Sequence, residues 1–373
     1  MIIILSSITL NYPSGCMLPE NWPTTNWQVS TPEKQGINGT LLDALANYVD
    51  MSFYNQDGIL IIKNGYIVFE KYYNDYNAAS LHHIFSITKS IVSALIGIAL
   101  DEGYLTNLDQ KVIDFFPDYT IANMSTWKQE ITIRHLLTMT SGLEWSGDDP
   151  KWFELLSAEN AVQFMLNLPM SHEPGTTYNY NTGSSQLLTA ILQRVTGITC
   201  LEFANEKLFS PLGIKNVVWE KDNQGINYGG TLMALTPRDL AKIGYLYLNN
   251  GTWEEQQIIS REWIENSTIS HLNSFLGFKM GYLWTIDTLR EYYFGMGAQG
   301  QKLCIFAKYD LVIVFTAFDS TYQLYNNLLD NYILPALDYI YTEDSNLSIF
   351  PTFILSLTFI FIQKNHSEKK HNV

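Results

Sequence analysis

Ser86 and Lys89 stand three residues apart in Phe85-Ser86-Ile87-Thr88-Lys89-Ser90, at the head of a strongly apolar run. A serine hydroxyl is a weak nucleophile until a neighbouring base takes its proton, and a lysine amine shielded from water can be that base. At a spacing of i and i+3 on a helix, the two side chains share one face. The chemistry this permits is attack on a carbonyl carbon to give an acyl-enzyme. The spacing alone does not decide the matter. Ser367-Glu368-Lys369-Lys370 fits it too, in a charged tail where it carries no such meaning. Read structurally, Ser86 is an N-cap serine ahead of a solvated lysine. Context has to separate the two.

The elements around the pair supply that context. Ile91, Val92, Ala94, Leu95, Ile98 and Ala99 recur at three and four, which predicts a helix with one face and more buried, closed near Asp101-Glu102-Gly103. Ser86 then sits at the helix start, where the first N–H groups lack partners and the dipole favours negative charge. Upstream, residues 41–51 read as an amphipathic helix. Residues 58–63 and 66–72 read as strands joined by Asn64-Gly65, a strong hairpin signal. Downstream, residues 132–142 form a short helix closed by Gly142, and His135 within it reads as a packed residue among leucines, not a general base. A polar, aromatic loop at 174–183 precedes a helix over 186–195, and Thr236-Pro237 opens a capped helix. Strands are expected at 280–286, 301–307 and 311–318, with a glycine-rich stretch at 295–301 and a closing helix over 325–341. Strands this far apart most simply form one sheet, with the helices between them as a second lobe and a cleft between the lobes.

The totals narrow the classes. The 373 residues are 46% hydrophobic and 16% charged, enough for a large core and too little charged for a disordered chain. A net charge of −15 argues against nucleic acid as a partner, since phosphate binding needs a basic face. Cys16, Cys200 and Cys304 form no zinc spacing, and the seven histidines form no metal-binding pattern, so neither metal nor other cofactor is expected. Residues 1–10 read equally as a clipped signal segment or an ordinary apolar start. Residues 347–362 carry no charge, are interrupted only by Pro351, and precede Lys364, Lys369 and Lys370. They fall just under the ~17–25 residues of a spanning helix, and the expectation is a membrane anchor with its basic side cytoplasmic and the catalytic body extracytoplasmic.

Together, Phe85 to Ser90, Thr132 to Gly142, the Tyr180 loop, Leu235 to Leu240 and Gly297-Ala298-Gln299-Gly300-Gln301 give a pattern that resembles the serine hydrolases of the β-lactamase and penicillin-binding-protein superfamily. The branch it is most similar to is the esterase and 6-aminohexanoate-dimer-hydrolase group, related to class C β-lactamases. The resemblance runs over about 27–341. It implies an α+β fold, an antiparallel sheet flanked by helices (about 27–85 and 275–341) with an inserted, mainly helical lobe (about 86–274). Residues 1–26 would be a lead-in and 342–373 a tail.

The resemblance also implies roles. Ser86 would be the nucleophile, Lys89 its base in uncharged form, and Tyr180 the proton relay, with the N–H groups of Ser86 and Gln301 holding the oxyanion. Tyr180 matches the tyrosine of a Tyr-x-Asn motif whose third residue is here Thr182, with Tyr178 as the fallback. Ala298-Gln299-Gly300 would fill the slot of a Lys-Thr-Gly or His-x-Gly motif on an inner strand, with Gly300 allowing close backbone approach of the substrate. Tyr178, Thr182, Ala298, Gln299 and Gly300 are thus the expected substrate contacts. The missing cation at Ala298 points to a small neutral ester or amide over β-lactams or D-Ala-D-Ala stems, whose carboxylate it could not pair. Two alternatives stay open, a penicillin-binding-type peptidase and a catalytically silent binding module of the same fold. The acyl and leaving groups depend on loops at 144–151 and 270–278. Trp145, Trp152 and Trp284 fit an apolar substrate and core packing equally well.

Overall fold

A computed structural model of the chain describes residues 19, 21–52, 55–145, 150–273, 278–318 and 322–337. Residues 1–339 form one compact unit and residues 340–373 another. The second unit, with the apolar 347–362 segment, lies outside the described residues, as do residues 1–10. Among the described residues no single helix is long and apolar enough to cross a membrane.

The strands are β1 Gln28–Val29, β2 Gln56–Lys63, β3 Tyr66–Tyr72, β4 His82–His83, β5 Val218–Trp219, β6 Met233–Leu235, β7 Thr252–Trp253, β8 Gln256–Gln257, β9 Leu272–Asn273, β10 Lys279–Met280, β11 Thr285–Asp287, β12 Tyr292–Gly297, β13 Gln301–Phe306 and β14 Leu311–Ala317. The α-helices are α1 Gly39–Met51, α2 Ile87–Asp101, α3 Thr126–Gln129, α4 Ile133–Leu137, α5 Pro150–Ser157, α6 Ala161–Asn167, α7 Thr182–Thr196, α8 Cys200–Ala204, α9 Pro237–Leu248, α10 Arg261–Thr268, α11 Tyr322–Leu328 and α12 Leu334–Ala336. Nine strands make one sheet in the order β1-β3-β2-β14-β13-β12-β11-β10-β9, so strands from the two ends of the chain meet where β2 pairs with β14. The expectation of a purely antiparallel sheet needs one correction: β1 runs parallel to β3, which makes the sheet mixed.

The central strands read as almost unbroken runs of Ile, Val and Leu because both sheet faces are covered. Ile59, Ile61, Ile313 and Phe315 pack against α1 and the C-terminal helices. Their neighbours Leu60, Ile62, Val312 and Val314 belong to the larger core shared with α2, α7 and α9. The Asn64-Gly65 turn is built as its sequence demands, with φ of 52° and 80°. Thr236 caps α9 by accepting from Asp239 N, and Pro237 occupies the first turn.

Three elements differ from expectation. The strand anticipated over 280–286 is split between β10 and β11. Gly281 lies so close to α10 that a Cβ would fall 2.1 Å from Ser267 O, and Leu283 takes a φ of 60°. Tertiary contact overrides strand propensity there. β12 was not anticipated: Tyr292, Tyr293 and Phe294 favour a strand, but two glycines in its last three residues mask it. The closing helix starts at Tyr322 and passes through a π-helical turn, Leu329–Ile333; its expected end lies beyond the described residues.

Candidate active site

Ser86 is the N-cap of α2, reached through a sharp turn in which Phe85 adopts a left-handed φ of 45°. Ile84 N donates to Met233 O and Ile87 N to Ile84 O, which tie the turn to the small β4-β6-β5 sheet. Every residue of α2 from Ile87 to Ala99 is buried, so the helix cannot shift along its axis without repacking the core. Lys89, one turn on, is only 3% exposed. Its Nζ lies 2.9 Å from Ser86 Oγ and donates to Gly230 O at 2.7 Å. The amine also lies 5.0 Å from the centroid of the Tyr180 ring.

The amine's second partner was not foreseen. Gly230 has no room for a side chain, since a Cβ would fall 2.4 Å from Thr182 Cγ2 and 3.1 Å from Lys89 Nζ. Its neighbour is fixed by a buried relay. Gly229 N donates to Gln186 Oε1 at 3.0 Å, and Gln186 Nε2 donates to Asp222 Oδ2 at 3.0 Å. Burial raises the Asp222 carboxyl above its ordinary range. The one sequence signal for this support is the Gly229-Gly230 pair shortly before the Thr236 cap.

Tyr180 lies in the loop leading into α7 and is 36% exposed. The loop is pinned on both sides. Asn179 N donates to Met139 O and Asn179 Nδ2 to Trp145 O, while Asn181 caps α7 by accepting from Ser184 N. Thr182 is the first residue of α7, beside Gly230 and therefore beside the Lys89 amine. Tyr178 packs against the main core. His135 is half-buried and works as a helix cap, its Nδ1 accepting from Thr132 N at 3.2 Å. It is thus a half-buried cap rather than a residue packed among leucines.

The third expected segment is arranged differently. Ala298, Gln299 and Gly300 form a 3-10 turn between β12 and β13, not part of a strand, with φ of 58° at Gln299 and 92° at Gly300. The strand that touches the Ser86 turn is β12. A Cβ on Gly297 would fall 2.3 Å from Ile84 O and 3.1 Å from Phe85 Cβ, and one on Gly295 would fall 3.1 Å from Ser90 Oγ. Gly297 therefore brings β12 against the Ser86 turn. Gln301 is 3% exposed, and its amide Nε2 donates to Ala317 O and, at 3.4 Å, to Gln299 O. The adjacent Lys302 does not replace the absent cation. It turns to the opposite sheet face, where Nζ donates to Tyr292 OH at 2.9 Å and lies 4.2 Å from the Phe294 ring centroid. Among the described residues no group of three or more His, Cys, Asp or Glu could hold a metal ion.

Comparison with known proteins agrees with this architecture. The family profile described as Beta-lactamase matches residues 54–328. The 6-aminohexanoate-dimer hydrolase of Paenarthrobacter ureafaciens is 21% identical over 284 residues, covering 69% of this chain and 71% of the relative. Among solved structures, EstCE1, a hydrolase with promiscuous acyltransferase activity, superposes with a TM-score of 0.68 at 16% identity, covering 80% of this chain and 98% of its own. The octameric penicillin-binding protein homologue from Pyrococcus abyssi gives a TM-score of 0.63 at 20% identity, covering 78% and 77%.

Proposed function

The chain belongs to the Beta-lactamase family, whose fold carries serine hydrolases, and on that footing we propose that it cleaves a neutral ester or amide through an acyl-enzyme on Ser86. The observation that carries this is the buried Lys89 amine, 2.9 Å from Ser86 Oγ and anchored on Gly230 O. An uncharged amine that donates one N–H to Gly230 O keeps its lone pair for the Ser86 hydroxyl. Ser86 Oγ then attacks the substrate carbonyl as its proton passes to Lys89. Tyr180, whose ring centroid lies 5.0 Å from the amine, is the proposed relay of that proton to the departing alcohol or amine. Water attacks the acyl-enzyme, releases the acid and restores the serine.

The oxyanion needs two donors. The Ser86 N–H at the head of α2 is one. For the other, the contact of Gly297 with the Ser86 turn supports the N–H of the next residue, Ala298, ahead of that of Gln301. Ala298→Pro tests this. Proline suits the first position of a helical turn, and Gly297 already has the extended conformation (φ −120°, ψ 156°) that a following proline requires. The substitution removes one N–H and should cost about 10²–10³ in kcat. Full activity would return the role to Gln301.

The preference for a neutral substrate rests on Ala298 and on Lys302 facing away. Stable labelling by a fluorescent penicillin without ester hydrolysis would favour a peptidase instead, and failure to label with a fluorophosphonate would favour a silent binding module. The decisive assay is hydrolysis of short-chain p-nitrophenyl esters by the wild type and by Ser86→Ala. Turnover by Ser86→Ala would end the assignment. We also propose that the 347–362 segment anchors the protein with its catalytic unit extracytoplasmic. Release of the full-length chain from membranes by alkaline carbonate would refute the anchor.

A further inference from the structure

Tyr325 lies in α11, on the far side of the sheet from Ser86, and is 5% exposed. Its hydroxyl donates to Gly300 O at 2.6 Å. That carbonyl belongs to the turn following Gly297. Gln299 (φ 58°, ψ 22°) and Gly300 (φ 92°) are both left-handed there, and next to a glycine a peptide plane can rotate at little steric cost. In a planar trans peptide the C=O and N–H point in opposite directions. Holding Gly300 O on the α11 side therefore holds the Gln301 N–H away from it and fixes the end of the turn that Ala298 begins. We propose that Tyr325 is a positioning residue for the oxyanion site: by anchoring Gly300 O it fixes the far end of the 298–301 turn, and so the orientation in which Ala298, the turn's first residue, offers its N–H to the substrate carbonyl. The inference rests on the acyl-enzyme chemistry proposed for Ser86.

Two features make the phenol suited to this. Its ring is wedged beside Phe315, with centroids 5.0 Å apart, and Lys302 Nζ lies 5.9 Å from its centroid, so the hydroxyl is held in place by packing. The turn also has a second tie, from Gln301 Nε2 to Gln299 O at 3.4 Å, too long to hold it by itself. Tyr325 touches no reacting atom. Its effect passes wholly through the backbone.

The test is Tyr325→Phe, which removes one oxygen and keeps the ring. With a p-nitrophenyl ester, kcat should fall ~10-fold or more while KM stays within ~2-fold, because part of an oxyanion donor's effect is lost and ground-state binding is not. A trifluoromethyl ketone, which captures Ser86 Oγ as a tetrahedral oxyanion, should bind weaker by the factor by which kcat/KM falls. Tyr48→Phe serves as control, since its hydroxyl accepts from Asn327 Nδ2 at 2.8 Å in the same layer. It should leave kcat and ketone affinity at wild-type values. The proposal is overturned if Tyr325→Phe keeps wild-type kcat, if kcat falls without loss of ketone affinity, or if Tyr48→Phe produces the same loss. Activity surviving in Ser86→Ala would overturn the Ser86 assignment as well, whereas an inactive Ser86→Ala beside an unaltered Tyr325→Phe overturns this inference alone.

Discussion

Gly297→Ala is the sharpest test of how the sheet meets the Ser86 turn. The added Cβ would lie 2.3 Å from Ile84 O, 3.1 Å from Phe85 Cβ and 3.1 Å from Gln301 Cβ. A carbon and a carbonyl oxygen settle at about 3.3–3.6 Å, so roughly 1 Å of extra separation is needed. Ile84 O is backbone, and the residue after Phe85 is Ser86, the proposed nucleophile, so no rotamer change relieves the clash. Either β12 or the Ser86 turn must move. Overpacking of this kind costs about 1–3 kcal/mol, and a displacement of ~1 Å at a reacting group costs on the order of 10²-fold in rate. The assay is kcat and KM on a p-nitrophenyl ester, with thermal unfolding alongside. We expect kcat to fall about 10²-fold, more than KM changes, with a melting temperature about 1–4 °C lower, at roughly 1.4 °C per kcal/mol for a unit of this size. Gly295→Ala is the comparison. Its Cβ would meet the side-chain atoms Ser90 Oγ at 3.1 Å and Ile87 Cγ2 at 3.2 Å, contacts that can relax, and its effect should be distinctly smaller. A Gly297→Ala protein with wild-type kcat and unchanged melting temperature would refute the packing of β12 on the Ser86 turn and the Ala298 donor with it.

Lys89→Met keeps much of the bulk and removes the amine that sits 2.9 Å from Ser86 Oγ; acylation followed by stopped flow should slow about 10²–10⁴-fold, and full activity would place the base elsewhere. Lys128 is buried, and its Nζ donates to the carbonyls of Ala122, Leu166 and Leu168 at 2.9, 2.8 and 2.6 Å, tying α3 to the end of α6. Lys128→Met should lower unfolding stability in urea by about 3–5 kcal/mol and leave kcat per folded molecule unchanged; an unchanged urea midpoint would contradict this. Buried His82 has its pKa pushed down to about 4 from 6.5 by burial first and by His83 second. Between those values the unfolded chain binds more protons than the folded one, so stability is lost as pH falls from about 6.5 toward 4, by up to about 3 kcal/mol. Asp57, 3.8 Å away, is raised by its own burial and acts in the opposite sense at the acid end. His82→Asn should flatten the dependence measured by urea unfolding at pH 7 and pH 5, and an identical slope would sink the attribution.

The parts of the fold legible beforehand are those whose physics is local. Asn64-Gly65 demands positive φ at both positions and so announces its hairpin. Thr236-Pro237 satisfies a helix start within one turn. The apolar spacing after Ser86 can bury only as a helix, which puts Lys89 on the same face as the serine whatever surrounds them. Contacts between distant segments were not legible. Nothing near Gly297 says that Ile84 O will lie against it, and nothing near Gly230 says that its carbonyl will receive the Lys89 amine. Lys128 looks like any surface lysine until three carbonyls from two other segments converge on it, and Tyr325 looks like core packing until Gly300 O is brought to its hydroxyl. The sequence by itself determined the Ser86–Lys89 spacing and the elements that carry it, because hydrogen-bond periodicity and side-chain pattern act over a few residues. Only the tertiary structure decided which strand borders the serine, what holds the amine and which way the 298–301 turn faces, because those depend on how closely backbones distant in the chain can approach once the core is packed.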